Sequence, residues 1–473
     1  MRATLLLISC SILPLFPVRP AAAQGPGEDY RDLVDRFLDV AMRDREAFGF
    51  LQQLTVRAPH RLSGSSGAEE AIAFVRAQLH QNGFEPVVVE SLLVPRWERG
   101  PVEEAVARIP GREDSMPLSV CALGGSVGTS PEGVEAELLE VQSFEELHAL
   151  GGAVKGRIVL LNRPMDPHLV STFEAYGEAV DQRSRGAIEA GNAGAVAVLV
   201  RSVTLALDNV PHTGSVRYAE GVPRIPAAAI STVGADLLSG ELRRAAAVRL
   251  RLRLSCRTLP ETWSGNVFGQ ITGTEFPNEI VVVGAHLDAW DKGSGAHDDG
   301  AGCAQAFEVL NILKKAGVTP KRTIRAVFFM NEENGNRGGP AYASAPARAE
   351  ERHIAAVESD RGGFAPRGFY VEADSATLET VRGWAPLFEL LGTGQIKPGG
   401  SGVDIDPLVK SGVPGFGLLV DDHRYFDYHH SDNDTLEKVH PRELEMGAVA
   451  QALLCYLIAE QGISLLGKES ANR

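Results

Sequence analysis

Five clusters of His, Asp and Glu could do chemistry in this chain. GAHLD holds His286 and Asp288, HDDGAG holds Asp298 and Asp299, and NEENG holds Glu332 and Glu333. ESDRGG holds Asp360, and YHHSDNDT holds Tyr428, His429 and His430. Apolar runs at 280–284, 324–330, 354–357 and 416–420 lead into most of them. Burying an unpaired carboxylate is costly, so carboxylates gathered at the ends of buried strands must have partners. A divalent metal suits this mixture.

Taken one at a time, each cluster has a plainer role. His286 could be a hydrogen-bonded core histidine, and Asp360 or NEENG a surface turn. Asp298 or Asp299 could cap the helix expected over 300–316. That accounts for one Asp and leaves its neighbour unexplained. Taken together the residues do more. Two divalent ions about 3.5–4 Å apart can share one carboxylate and one water. With Asp298 as the bridge, His286 and Asp360 complete one ion while Glu333 and His430 complete the other. Glu332, pointing away from its neighbour, is left as a general base. Asp288 is placed to orient the His286 imidazole.

The elements that position these residues read as alternating buried strands and helices from Asn266 onward, which predicts a mostly parallel sheet. Polar clusters after the carboxyl ends of strands are where an open α/β sheet binds its ligand. Upstream, 29–47 is an amphipathic helix pattern, RLSGSSG is a turn, and 68–84 is a second helix stopped at Gly83. The region 118–256 is richer in small residues and short β elements. No internal repeat or low-complexity run is present.

At 473 residues, with 44% hydrophobic and 23% charged residues, the chain is long enough for more than one domain and ordinary in composition. Its net charge of −15 argues against a nucleic-acid partner. Arg2, an apolar run over 5–18 and Ala21, Ala22 and Ala23 form a signal-peptide pattern with cleavage after Ala23. A lipoprotein box at Cys10 is the lesser alternative, and no segment is long enough to span a membrane. Export leaves Cys121, Cys256, Cys303 and Cys455. The first two flank the region of changed character and are expected to pair, whereas the others sit in apolar helical patterns.

The order HLD, DDGxG, EE, ESD and HxxxDT resembles the co-catalytic dizinc exopeptidases, which include bacterial leucyl aminopeptidases and glutamate carboxypeptidase II. GSGVDIDPLVKSGVPG, VPRWERG, GSVGTSPEGV, VKGRIVLLNRP and PHTG extend the likeness to a carboxypeptidase branch over nearly the whole exported chain. The resemblance implies a zinc-exopeptidase α/β sandwich over 24–117 and 257–473, with a β-rich protease-associated insertion over 118–256. It also implies the five metal ligands above, Glu332 as base, Asp288 behind His286, a cis bond from Asp298 to Asp299, two Zn²⁺ ions and a homodimer as one arrangement. The donors alone would also accept Mn²⁺ or Co²⁺.

The substrate implied is a short peptide, dipeptides foremost, cleaved by a water that the paired ions acidify and Glu332 deprotonates. Where some relatives carry a Tyr before the last metal histidine, this chain has His429 preceded by Tyr428, either of which could serve the oxyanion. Arg361 replaces a small residue, and Arg361, Arg424 or Arg337 could grip a peptide carboxylate. The alternatives are an aminopeptidase of broader range, a noncatalytic receptor-like module and a single-zinc acyltransferase like glutaminyl cyclase.

Overall fold

The computed structural model describes residues 26–244 and 247–463. The expected signal segment 1–23 and the alternative at Cys10 lie outside them. Two eight-stranded sheets organise the chain. The first runs Val88–Glu98, Arg257–Ile271, Arg322–Phe329, Phe276–His286, Arg352–Glu358, Gly415–Val420, Pro366–Glu372, Gln395–Pro398 in spatial order. Its four middle strands, from Arg322–Phe329 to Gly415–Val420, pair in parallel.

Four of the seven pairings of this sheet are parallel, as expected, and the three antiparallel ones lie toward its edges. Val88–Glu98 pairs antiparallel with Arg257–Ile271, with Glu98 opposite Arg257. The chain leaves the first sheet at one of these residues and returns at the other. A segment inserted between two side-by-side ends requires oppositely directed strands.

The middle strands are apolar on both faces because helices cover them. Pro26–Asp44, Glu46–Arg57, Ala301–Lys315 and Pro441–Gln461 pack into one continuous core on one side. Ile405, Leu408, Val409 and Tyr342 cover the other. Thirteen residues of Ala301–Lys315 are buried, so this helix is enclosed on nearly every side, Gln305, Glu308 and Asn311 included. The amphipathic pattern over 29–47 becomes two helices broken at Arg45, whose φ of 54° lies in the left-handed region. The second expected helix forms as Ser66–Gln81, capped by the Ser65 side chain.

The second sheet contains Met116–Leu118, Glu103–Arg108, Arg249–Leu254, Val134–Val141, Ile158–Leu161, Ala197–Arg201, Ala227–Ile230 and Val120–Ala122. It begins at Glu103, N-terminal to the expected boundary at 118, because Glu103–Arg108 pairs with Arg249–Leu254 on one side and with Met116–Leu118 on the other. Three of its pairings are parallel and helices such as Asp181–Asn192 lie among its strands, so this layer is α/β rather than simply β-rich.

The expected disulfide does not form. Cys121 and Cys256 are both unpaired and buried. Cys121 packs into one apolar cluster of this layer and Cys256 into another, where its thiol meets the Ser126 carbonyl at 3.3 Å. Flanking an inserted layer in sequence does not bring two side chains to the same core. Cys303 and Cys455 are small core residues of the first layer, as expected.

Candidate metal centre

The strand ends converge on Asp298. His286 Nε2 lies 3.2 Å from Asp298 Oδ1 and 3.7 Å from Asp360 Oδ1. On the other side, His430 Nε2 lies 3.3 Å from Asp298 Oδ2 and 3.0 Å from Glu333 Oε2. The two oxygens of one carboxylate thus face two separate pairs of donors, the pairs predicted from residue types. Glu333 turns to His430, whereas Glu332 lines the adjoining cavity of about 480 Å³, where its carboxylate meets no protein hydrogen-bond partner among the described residues.

Local geometry explains why the adjacent acids separate. Asp299 accepts the amides of His286 (3.3 Å) and Gly302 (3.0 Å), so it is the helix cap. That frees Asp298. The peptide between them is cis. Asp434 accepts the His297 amide at 2.7 Å and the Asp298 amide at 3.1 Å, fixing the loop from behind. Arg61, fully buried, donates to the carbonyls of Leu287, Ser294 and Gly295 at 2.6–2.7 Å.

Asp288 departs from its expected contact. Its backbone carbonyl, not its carboxylate, is 2.8 Å from His286 Nδ1. The carboxylate instead accepts the amides of Asn331, Glu332 and Glu333 at 2.7, 3.1 and 3.4 Å. Asn331 is left-handed, with φ 75°, and the turn after it aims successive N–H groups at one acceptor. Asp288 therefore positions the two glutamates.

Electrostatics follow from burial. Burial, with the carboxylates of Asp360, Asp288 and Asp298, pushes Glu332 up to about 8 against the pull of His286. Burial also drives His429 and His430 well below the ordinary imidazole value, leaving them neutral as metal ligation requires. His286 differs: burial lowers it, but Asp298 and Asp360 raise it well above normal. Those two carboxylates thus call for a positive charge at His286 Nε2. Asp298 Oδ2 and Glu333 Oε1 are buried without a hydrogen-bond partner. Orphaned oxygens on carboxylates that face the His430 imidazole fit divalent cations.

The remaining expected contacts divide. His429 lines the cavity, stacks on His430 at 3.5 Å between ring centres, and brings Nε2 to 3.8 Å from Asp298 Oδ2. Tyr428 does not line it; its ring stacks on His297 and its hydroxyl meets Arg424. Arg424 is largely exposed. Arg361 pairs with Asp422 at 3.0 Å and lies 3.9 Å from the Phe173 ring centre, beside a neighbouring cavity. Arg337 is held by the Leu93 carbonyl and Glu261.

Sequence reasoning missed Tyr425, Tyr176 and Arg183. Tyr425 lines the cavity and its hydroxyl is 3.3 Å from Asp360 Oδ1. Its i, i+4 spacing to His429 was a usable signal. Tyr176 and Arg183 come from the second layer, and nothing local in the sequence links them to His430.

A chain with two half-sites sharing a carboxylate at the ends of parallel strands is built as a metallopeptidase. The pattern of peptidase family M28 matches residues 266–454. Carboxypeptidase Q of Homo sapiens is 36% identical over 400 residues, 85% of this chain and 82% of that one. A peptidase M28 precursor from Shewanella amazonensis SB2B superposes with a TM-score of 0.86 at 34% identity, covering 93% of this chain and 98% of that one. The zinc aminopeptidase BSAP of Bacillus subtilis shares the fold, with a TM-score of 0.64 at 20% identity over 89% and 96% of the two chains. The chain belongs to peptidase family M28 and is a homologue of carboxypeptidase Q.

Proposed function

We propose that the chain is an exported exopeptidase that holds two zinc ions and hydrolyses short peptides, dipeptides foremost. The observation that carries this reading is Asp298, whose two oxygens face His286 with Asp360 on one side and His430 with Glu333 on the other. His286, Asp298 and Asp360 would hold one ion, and Asp298, Glu333 and His430 the second. When bound, the ions would lower the pKa of a water and polarise the scissile carbonyl.

The chain's own groups do the rest. Glu332, unpartnered and facing the cavity, takes the proton of the attacking water and returns it to the leaving amine. Tyr425 and His429 present donors where negative charge develops on the carbonyl oxygen. Asp288 keeps Glu332 and Glu333 in their separate orientations through the turn amides. The second layer, read as a protease-associated insertion, covers the cleft: Ser215 donates to the Glu333 carbonyl and the Thr213 amide to the His430 carbonyl.

Among the described residues no helix is long and apolar enough to cross a membrane. Export rests on the signal-peptide pattern. The test is a panel of free and N-blocked dipeptides with the zinc-loaded protein, beside casein. Rapid cleavage of free dipeptides and negligible cleavage within casein support the reading; efficient internal cleavage of casein contradicts it.

A further inference from the structure

The cavity beside Asp298 is lined by two guanidinium groups of the second layer, those of Arg183 and Arg217. Among the described residues neither forms an ion pair with a carboxylate. Arg183 is only 8% exposed. It donates to the Tyr176 hydroxyl at 2.6 Å and the Thr213 carbonyl at 3.3 Å, and reaches 3.4 Å from His430 Nδ1. Its Nε is buried without a partner. The group is fixed as well as short of acceptors: it lies over the Tyr176 ring, and a side chain at Gly214 would collide with it. Arg217 is exposed at the cavity mouth.

A buried cation lacking a counter-ion is costly, so a site that keeps one has an anion to receive. The metals cannot be that partner. Divalent ions carry the same sign of charge as the guanidiniums of Arg183 and Arg217, so the acceptor must come from elsewhere. Arg183 stands one imidazole ring behind the metal-facing Nε2 of His430. Both guanidiniums line the same cavity as Asp298, Glu332 and Glu333, so a short peptide with its scissile carbonyl there has its terminal carboxylate in the same space.

Resting on the peptidase reading above, we propose that Arg183, with Arg217 at the mouth, receives the free α-carboxylate of a short peptide. The second layer then determines where the substrate must end. Arg361, Arg424 and Arg337, the residues expected for this role, already pair with the carboxylates of Asp422, Asp427 and Glu261.

The test compares alanyl-leucine with alanyl-leucinamide on the zinc-loaded protein and on Arg217→Gln and Arg183→Lys. Wild type should prefer the free acid by about 100-fold or more in kcat/KM, the loss expected when a buried guanidinium loses a charged acceptor. Each variant should cut that ratio to roughly tenfold or less. Calorimetric Kd values for both peptides in a Glu332→Gln background should follow the same order. Equal turnover and equal binding of acid and amide by the parent protein overturn the proposal, as does an unchanged ratio in Arg217→Gln. If Arg183→Lys fails to fold, judged by circular dichroism, the parent and Arg217→Gln decide. Absence of turnover of either peptide contradicts the peptidase reading instead, and the Kd pair still judges the carboxylate.

Discussion

Glu332 and Glu333 share their chemistry and differ only in direction. Glu332→Gln keeps shape but cannot take a proton, so both metals should stay while turnover falls by roughly 10²–10⁴. Glu333→Gln removes a charge from the His430 side, so about one metal per chain should be lost and partly restored by excess zinc. Elemental analysis beside dipeptide kinetics reads both; metal loss from the first variant alone would exchange the assignments. Tyr425→Phe removes one cavity donor, and a fall in kcat of about 10²–10³ with metal content retained is expected. A fall of less than threefold removes Tyr425 from the oxyanion contact. The convergence of His286, Glu333, Asp360 and His430 on Asp298 was legible in the sequence because residue type and strand-end position are local properties. The carboxylate of Asp288 was misplaced because its acceptor role depends on the left-handed turn at Asn331, which residue types do not announce.

At the scale of elements, the central parallel strands and their helices were readable because apolar runs and caps are short-range signals. The antiparallel entry and exit of the inserted layer were not, since Glu98 and Arg257 are distant in sequence and adjacent only in the fold. Two buried acids lie where Glu46–Arg57, Ala301–Lys315 and Pro441–Gln461 meet. Burial, then the nearby Glu445, raises Glu308 well above the carboxylate range. Burial raises Glu445 to about 7, while it accepts the Phe48 amide at 3.0 Å. A raised folded pKa gives stability that is complete below the unfolded value and is lost as pH rises through the folded one. For Glu445 the loss falls between about pH 4.5 and 7. Glu445→Gln keeps an acceptor for Phe48, so it should raise unfolding free energy at pH 8 by on the order of 1–3 kcal/mol and change it little at pH 4. Denaturant unfolding at the two pH values checks this; an equal shift at both would mean that the effect is packing rather than ionisation.

Across the whole molecule, the metal centre is where the two layers lock. Trp290, four residues after His286, is buried in the core of the second layer and stands edge-on to His430 at 5.8 Å. Gly124 leaves the room that its ring fills. Arg99, at the neck, holds Asp291 through two bonds of 2.9 and 2.6 Å and reaches the Ala122 carbonyl. Loss of this plug should be felt at both ends: Trp290→Ala should cost about 3–5 kcal/mol of stability and weaken retention of the metal at His430. Thermal unfolding and zinc titration measure the two effects, and unchanged zinc affinity would uncouple the layers. None of this was readable from the sequence, where the tryptophan looks like one more residue of a polar loop.

The chemistry of the site depends on Asp298 lying between two metal ions. Anomalous diffraction at the zinc edge from crystals of the zinc-loaded protein tests that directly. The account predicts two peaks about 3.5–4 Å apart, one between His286 and Asp360 and one between His430 and Glu333, each next to a different oxygen of Asp298. A single peak at full zinc loading, or two peaks that do not share Asp298, would contradict it.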